Sequence, residues 1–181
     1  MTLPIVGEQL IDLFKWIIRG CYGFIEPMSA YLDGLKLLAG RELSVAGLRA
    51  RLLDRDHTPE AADEAVARLL ETGALDDQRV ARAYARTASQ TKGRGRLRII
   101  RELQEMGIAR DVIAEAVAEV FSDVDERSMI DRAIQKKLRG GRKPSTIQEG
   151  ARLYQFLMRQ GFTPAAVSAA LRRIGAAADE L

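Results

Sequence analysis

ELQEMGIARDVIAEAVAEVF, Glu102 to Phe121, contains the pattern on which the whole chain is built. Leu103 leads into the turn Gly107-Ile108, after which apolar side chains return at Ile113, Val117 and Val120. Spacings of three and four residues put those side chains on one helical face, and the glycine stands where the preceding helix should stop. The same register occurs twice more, as RLLDRDHTPEAADEAVARLL from Arg51 and FLMRQGFTPAAVSAALRRIG from Phe156. Leu52, Leu103 and Leu157 coincide, Asp56, Gly107 and Gly161 fall at the turn, and His57, Ile108 and Phe162 follow it. Further matches are Ala62 with Ile113 and Val167, Val66 with Val117 and Leu171, and Leu69 with Val120 and Ile174.

Each copy reads as helix, tight turn, helix, and a further helical stretch precedes it, at 29–39, 77–88 and 124–138. Strand signals are nearly absent. The expected fold is therefore all-α, three tandem three-helix (helix-turn-helix-like) repeats forming an elongated, curved array. The boundaries predicted are 28–75, 76–123 and 124–181, the last including a C-terminal tail. A repeat of about 50 residues buries little core alone, so neighbours should share one. Thr58-Pro59-Glu60 and Thr163-Pro164 supply N-caps with proline in the first turn, and Gly73, Gly107, Gly161 and Gly175 supply stops. Asp76-Asp77 reads as an acidic helix start, simpler than acid chemistry or a Mg²⁺ site. Arg55-Asp56-His57 stands where the other copies carry glycine, so the first turn is expected to be built differently. Residues 1–27 are either a misread start upstream of Met28 or an extra amphipathic helix bearing Ile11, Phe14 and Ile18.

The 181 residues carry a net charge of only +3, which conceals a strong polarity. Arg79, Arg82, Arg86, Lys92, Arg94, Arg96, Arg98 and Arg101 occur in one run with no acid between them, so the rest of the chain is net negative. An ordinary solvated helix face mixes signs to gain i,i+4 pairs, whereas this run accumulates repulsion and points to an anionic partner. With a helix drawn from Lys92 to Met106, Arg94, Arg98 and Arg101 share a face, and Ile99, Leu103 and Met106 turn to the core. Arg79, Arg82 and Arg86 form a second stripe, opposite Val80, Ala83 and Tyr84. Gly93 and Gly95 weaken the helix entrance and would leave backbone N–H groups free for an anion. They do not make a nucleotide loop, lacking a preceding strand and a Gly-Lys-Ser/Thr ending. Lys136, Lys137, Arg139, Arg142 and Lys143 form a second basic cluster around Gly140-Gly141, read as a loop or a secondary phosphate-contacting site.

Other residues offer little chemistry. With one cysteine, Cys21, and one histidine, His57, neither an internal disulfide nor a His/Cys metal set can be drawn. His57 aligns with Ile108 and Phe162 and is expected to pack against the turn; Trp16 suggests no role. No nucleophile, base and metal set assembles, so neither an enzyme nor a cofactor is expected. No apolar run reaches the roughly 18 residues of a membrane span, and the start lacks a signal peptide's pattern. A soluble cytoplasmic monomer is expected.

The run LLETGALDDQRVARAYARTASQTKGRGRLRIIRELQEMGI, Leu69 to Ile108, resembles the signature of the RecX family, regulators of the RecA recombinase. The likeness lies in Gly73-Ala74-Leu75-Asp76-Asp77, Arg79-Val80-Ala81, Gly95, Arg98-Ile99, Glu102-Leu103 and Gly107-Ile108, in that order. Tyr31 to Leu52 is similar to the family's first repeat, and the third repeat matches through its length and the Gly161-Phe162 turn. The resemblance implies binding to the RecA–DNA nucleoprotein filament, restraining recombinase, ATPase and coprotease activity in recombination and the SOS response. The eight cations from Arg79 to Arg101 would then meet RecA or DNA phosphate. The alternative is a helix-turn-helix protein that binds single- or double-stranded DNA without regard to sequence, because its arginine-rich candidate reading helix lacks Asn or Gln before Gln104.

Overall fold

The computed structural model describes residues 29–122, 124–138 and 144–175. The extension 1–27, with Cys21 and Trp16, and the cluster members Arg139, Arg142 and Lys143 lie outside the described residues. Among the described residues every regular element is a helix. Helix α1 covers 29–40, followed by α2 (Val45–Leu53), α3 (Pro59–Glu71), α4 (Asp77–Gln90), α5 (Arg96–Glu105), α6 (Arg110–Ser122), α7 (Glu126–Leu138), α8 (Ile147–Gln160) and α9 (Pro164–Arg173).

The helix ends follow from local chemistry. Thr58 and Thr163 accept hydrogen bonds from the N–H groups of Ala61 and Ala166, with Pro59 and Pro164 at the first helical position. Ser44 and Thr146 cap α2 and α8 in the same way. The Glu149 side chain returns to the N–H of Ser145 at 2.8 Å, a reciprocal bond that the sequence reading did not identify.

The three repeat turns share one hydrogen-bond pattern. Gly107 (φ 76°) and Gly161 (φ 89°) are left-handed. Their N–H groups reach the carbonyls of Gln104 and Met158, and the next residues, Ile108 and Phe162, reach back to Leu103 and Leu157. Asp56 takes φ 65°, its N–H bonds to Leu53, and His57 N–H bonds to Leu52 at 3.2 Å. The expectation of a different first turn is therefore corrected. A short acidic side chain tolerates the left-handed region at modest cost, so aspartate stands in for glycine without altering the bonding.

The described residues divide between two compact units that meet at Asp76 and Asp77. In the first, α1 to α3 enclose Ala30, Leu48, Leu52, Ala62, Leu69 and Leu75. Helix α1 lies close against α3, since a Cβ on Gly34 would stand 2.7 Å from Leu69 Cδ1. The Arg68 guanidinium covers the Tyr31 ring at 4.5 Å. His57, its side chain 9% exposed, packs at the turn with Nε2 3.2 Å from Asp33 Oδ2. Hydrogen bonds from Lys36 and then His57 hold the Asp33 carboxyl below its ordinary value.

In the second unit, α4 to α9 share one continuous core. Ile99, Leu103, Ile113 and Val117 from the second repeat belong with Ile130, Leu157, Phe162 and Leu171 from the third. The expected sharing between neighbours thus holds for the second and third repeats, whereas the first encloses a core of its own.

Candidate partner-binding face on the second repeat

The basic run from Arg79 to Arg101 is distributed over α4, the α4–α5 connection and α5. Helix α5 begins at Arg96, not Lys92, so Arg94 stands before it and does not join Arg98 and Arg101 in a helical stripe. The reason lies in Gly93 (φ 63°) and Gly95, and in what Gly95 touches. Gly95 N–H donates to Gln160 O at 2.8 Å, and Leu97 N–H donates to Gly161 O at 2.9 Å. Arg94 N–H goes to Ala88 O at 3.0 Å. The α8–α9 turn thus provides the acceptors that a side-chain cap would normally supply, and α5 has no such cap. The N–H groups of Arg94, Gly95 and Leu97 are engaged rather than free for an anion, which corrects the expectation at Gly95.

The approach is too close for side chains. A Cβ on Gly95 would overlap the Gly161 carbonyl and lie 2.5 Å from Phe162 N. A Cβ on Gly161 would overlap the backbone of Arg98, 2.8 Å from its Cα.

Two of the eight cations are held by an acid just beyond the run. Glu102 Oε2 accepts from Arg94 Nη1 at 2.7 Å and from the Tyr84 hydroxyl at 2.8 Å. Its Oε1 accepts from Arg98 Nε at 3.0 Å. Arg94 also donates to the Tyr84 oxygen at 2.8 Å, and Arg98 reaches Arg159 O at 3.4 Å. The three charged side chains are 21%, 33% and 18% exposed for Arg94, Arg98 and Glu102, so solvent screens the cluster only partly. Burial disfavours the charged form of Glu102, yet the hydrogen bonds from Arg98 and Tyr84 and the Arg94 charge outweigh it, holding the carboxyl below its ordinary value. Burial, reinforced by Glu102, pushes the Tyr84 hydroxyl up.

Tertiary structure supplies a second acid. Glu119 of α6 pairs with Arg82 at 2.9 Å and approaches Arg86 at 3.9 Å, all three well exposed. The inference of uncompensated repulsion is therefore corrected: the run lacks acids in sequence but meets Glu102 and Glu119 in space. Arg96 lies over the Phe121 ring at 5.1 Å, and Lys92 over the Tyr84 ring at 5.7 Å. Among the described residues, Arg101 bonds to Leu97 O alone, at 3.4 Å. Arg79 is exposed near the start of α4. Val80 is buried as expected, but Ala83 faces outward and Ala81, Ala85 and Ala88 line the core instead.

In the second basic cluster, Lys136 and Lys137 are exposed in the last turn of α7, with Lys137 5.2 Å from the Phe156 ring centre. Among the described residues no group of three or more His, Cys, Asp or Glu side chains could hold a metal ion. No described helix is long and apolar enough to cross a membrane.

Fold and site together define an all-α protein of tandem three-helix repeats whose second repeat displays arginines on two helices. Three family profiles match such repeats in order: the RecX first three-helix domain at residues 30–69, the second at 76–117 and the third at 125–171. A regulatory protein RecX of Pelodictyon phaeoclathratiforme is 34% identical over 138 residues, 76% of this chain and 84% of the relative. That of Halorhodospira halophila is 36% identical over 146 residues, 81% of this chain and 86% of the relative. The chain belongs to the RecX family of regulatory proteins. Among solved structures, a crystal structure of regulatory protein RecX superposes with a TM-score of 0.76 at 20% identity, covering 86% of this chain and 77% of that one. RecX from Lactobacillus salivarius gives 0.69 at 16% identity, covering 83% and 97%. At those identities the superpositions speak to fold alone.

Proposed function

We propose that this chain is a cytoplasmic regulator that binds the RecA–DNA filament and restrains RecA's recombinase, ATPase and coprotease activities in recombination and the SOS response. Family membership supports the reading. The observation that carries it is the exposed arginine surface of the second repeat that remains once Arg94 and Arg98 are assigned to Glu102. Arg82, Arg86, Arg96 and Arg101 are all exposed on α4 and α5. The Arg82–Glu119 pair, 44% and 51% exposed, is held weakly enough for a partner's carboxylate or phosphate to displace.

The alternative, a helix-turn-helix reader, fits less well. The arginine-rich helix taken as its reader, α5, precedes the tight turn of the second repeat; the helix after that turn is α6, and its exposed side chains include Asp111, Glu115 and Glu119. Acids there would repel the phosphates flanking a major groove.

The test is RecA ATP hydrolysis on single-stranded DNA, with this protein titrated in beside an Arg82/Arg86/Arg101→Ala variant. Arg94 and Arg98 are left intact, since their removal would disturb the fold. Substoichiometric inhibition by the wild type, lost in the variant, is the expected result. Equal inhibition by both would remove the arginine face from the contact. No inhibition by the wild type would sink the reading altogether.

A further inference from the structure

A second cationic feature lies within the α4–α9 unit, apart from the arginine face. Between the end of α4, helix α7 and helix α8 runs an open groove of about 870 Å³. Four of its lining side chains are cations, Lys92, Arg132, Lys136 and Lys137, and among the described residues no carboxylate lines it. None of the four is paired with an acid among the described residues: Arg132 bonds to Ser128 O at 3.3 Å, while Lys92 and Lys137 lie over aromatic rings. Asp125 lines a smaller adjoining cavity with Arg132. It is occupied by Ser128 Oγ at 2.6 Å and Arg127 N at 3.0 Å. The half-buried ring of Phe156 and the amides of Gln90 and Gln160 complete the wall.

We propose that this groove binds one strand of nucleic acid, its phosphates against Arg132, Lys136 and Lys137 and a base against Phe156. The chemistry favours that occupant over an acidic peptide. The four cations would attract either anion, so the choice rests on the aromatic ring and the amides beside them. A cationic groove with an aromatic platform is how single strands are held without sequence preference, because every base has a face to stack. Amides that both donate and accept suit base edges. Arg132 and Lys136 are one helical turn apart on α7, about 6 Å along its axis, so they can follow a strand. The proposal stands apart from docking on RecA, and its test contains no RecA.

The measurement is fluorescence anisotropy of a labelled oligothymidine titrated with the full chain over a range of salt. Three variants accompany the wild type, each checked by circular dichroism: Arg132/Lys136/Lys137→Ala, Phe156→Leu, and Arg82/Arg86/Arg101→Ala as a charge-matched control. Binding should weaken linearly in log–log form with salt, and the groove variant should flatten that slope by about 0.7 per lost contact, roughly 2 in all. Phe156→Leu should weaken binding about tenfold while leaving the slope unchanged, since it removes stacking and no charge. No binding by the wild type at low salt overturns the proposal. So does equal loss in the groove variant and the arginine-face control, which would reduce the effect to net charge. Displacement of the strand by polyglutamate as effectively as by unlabelled oligothymidine would assign the groove to an acidic peptide instead.

Discussion

Replacing Gly161 by alanine tests the joint between the second and third repeats, and its cost can be worked out from two separable penalties. The first is conformational: at φ 89° an alanine occupies the left-handed region, which costs about 1–2 kcal/mol. The second is steric. The new Cβ would meet the backbone of Arg98, 2.8 Å from its Cα, and backbone cannot rotate out of the way. Relief requires the α8–α9 turn to retreat from α5, which breaks Gly95 N–H to Gln160 O and Leu97 N–H to Gly161 O. Leaving two such donors unsatisfied costs about 1–3 kcal/mol each, so the total expected is roughly 4 kcal/mol or more.

Two companion substitutions separate the terms. Gly93→Ala carries a similar φ of 63° with nothing within 4 Å of its Cβ, so it should cost only about 1 kcal/mol. Gly95→Ala has an ordinary φ of −75° and only the overlap with the α8–α9 turn, so it should cost roughly 3 kcal/mol. The assay is urea unfolding followed by helical circular dichroism. At a slope of about 2 kcal/mol per molar, Gly161→Ala shifts the affected transition by roughly 2 M and Gly93→Ala by roughly 0.5 M. Equal shifts for those two variants would refute the reasoning, because the cost would then be backbone conformation alone.

Removing the charge of Glu102 should lower stability by roughly 1–2 kcal/mol at neutral pH, since Glu102→Gln keeps the shape but weakens bonds to two arginines. The folded carboxyl lies below its ordinary value, so its contribution is complete above the unfolded value and fades as pH falls through the folded one. The wild type's advantage over the variant should therefore shrink in strongly acidic urea titrations; an advantage independent of pH would exclude the charge as its source. Asp56→Gly should stabilise the first unit by about 0.5 kcal/mol, because φ 65° is less costly for glycine, and thermal unfolding would register a small rise. Arg82→Ala should change stability by less than about 0.5 kcal/mol despite its ion pair, given how exposed both partners are. A larger loss in the same titration would mean that the arginine is committed to the fold rather than available to a partner.

The helix-turn-helix register was legible because it is local. Leu103, Ile113 and Val117 are buried, as are their counterparts Leu157, Val167 and Leu171, and the threonine-proline caps act as their sequence suggests. The first turn was misjudged because residue type was taken for geometry: Asp56 reaches the left-handed region that glycine was assumed to require. For the basic face, the signal nearest at hand was Glu102, four residues after Arg98 and one past the end of the acid-free run. Nothing local announced Glu119 beside Arg82, or Gln160 and Gly161 at the head of α5.

The sequence alone determined that the chain is helical, that it repeats three times, where the helices flanking the repeat turns stop and which threonines cap them, and which family it resembles; the start of α5 it did not determine. Each depends on spacings of a few residues, and helical geometry translates such spacings directly into faces and ends. Tertiary structure decided which charges remain available. Arg94 and Tyr84 converge on Glu102 from elsewhere in the chain, Arg82 finds Glu119 on α6, and the glycines at 95 and 161 let two backbones meet. Coulomb and hydrogen-bond energies depend on distance through space, and in a packed chain that distance bears little relation to separation along the sequence.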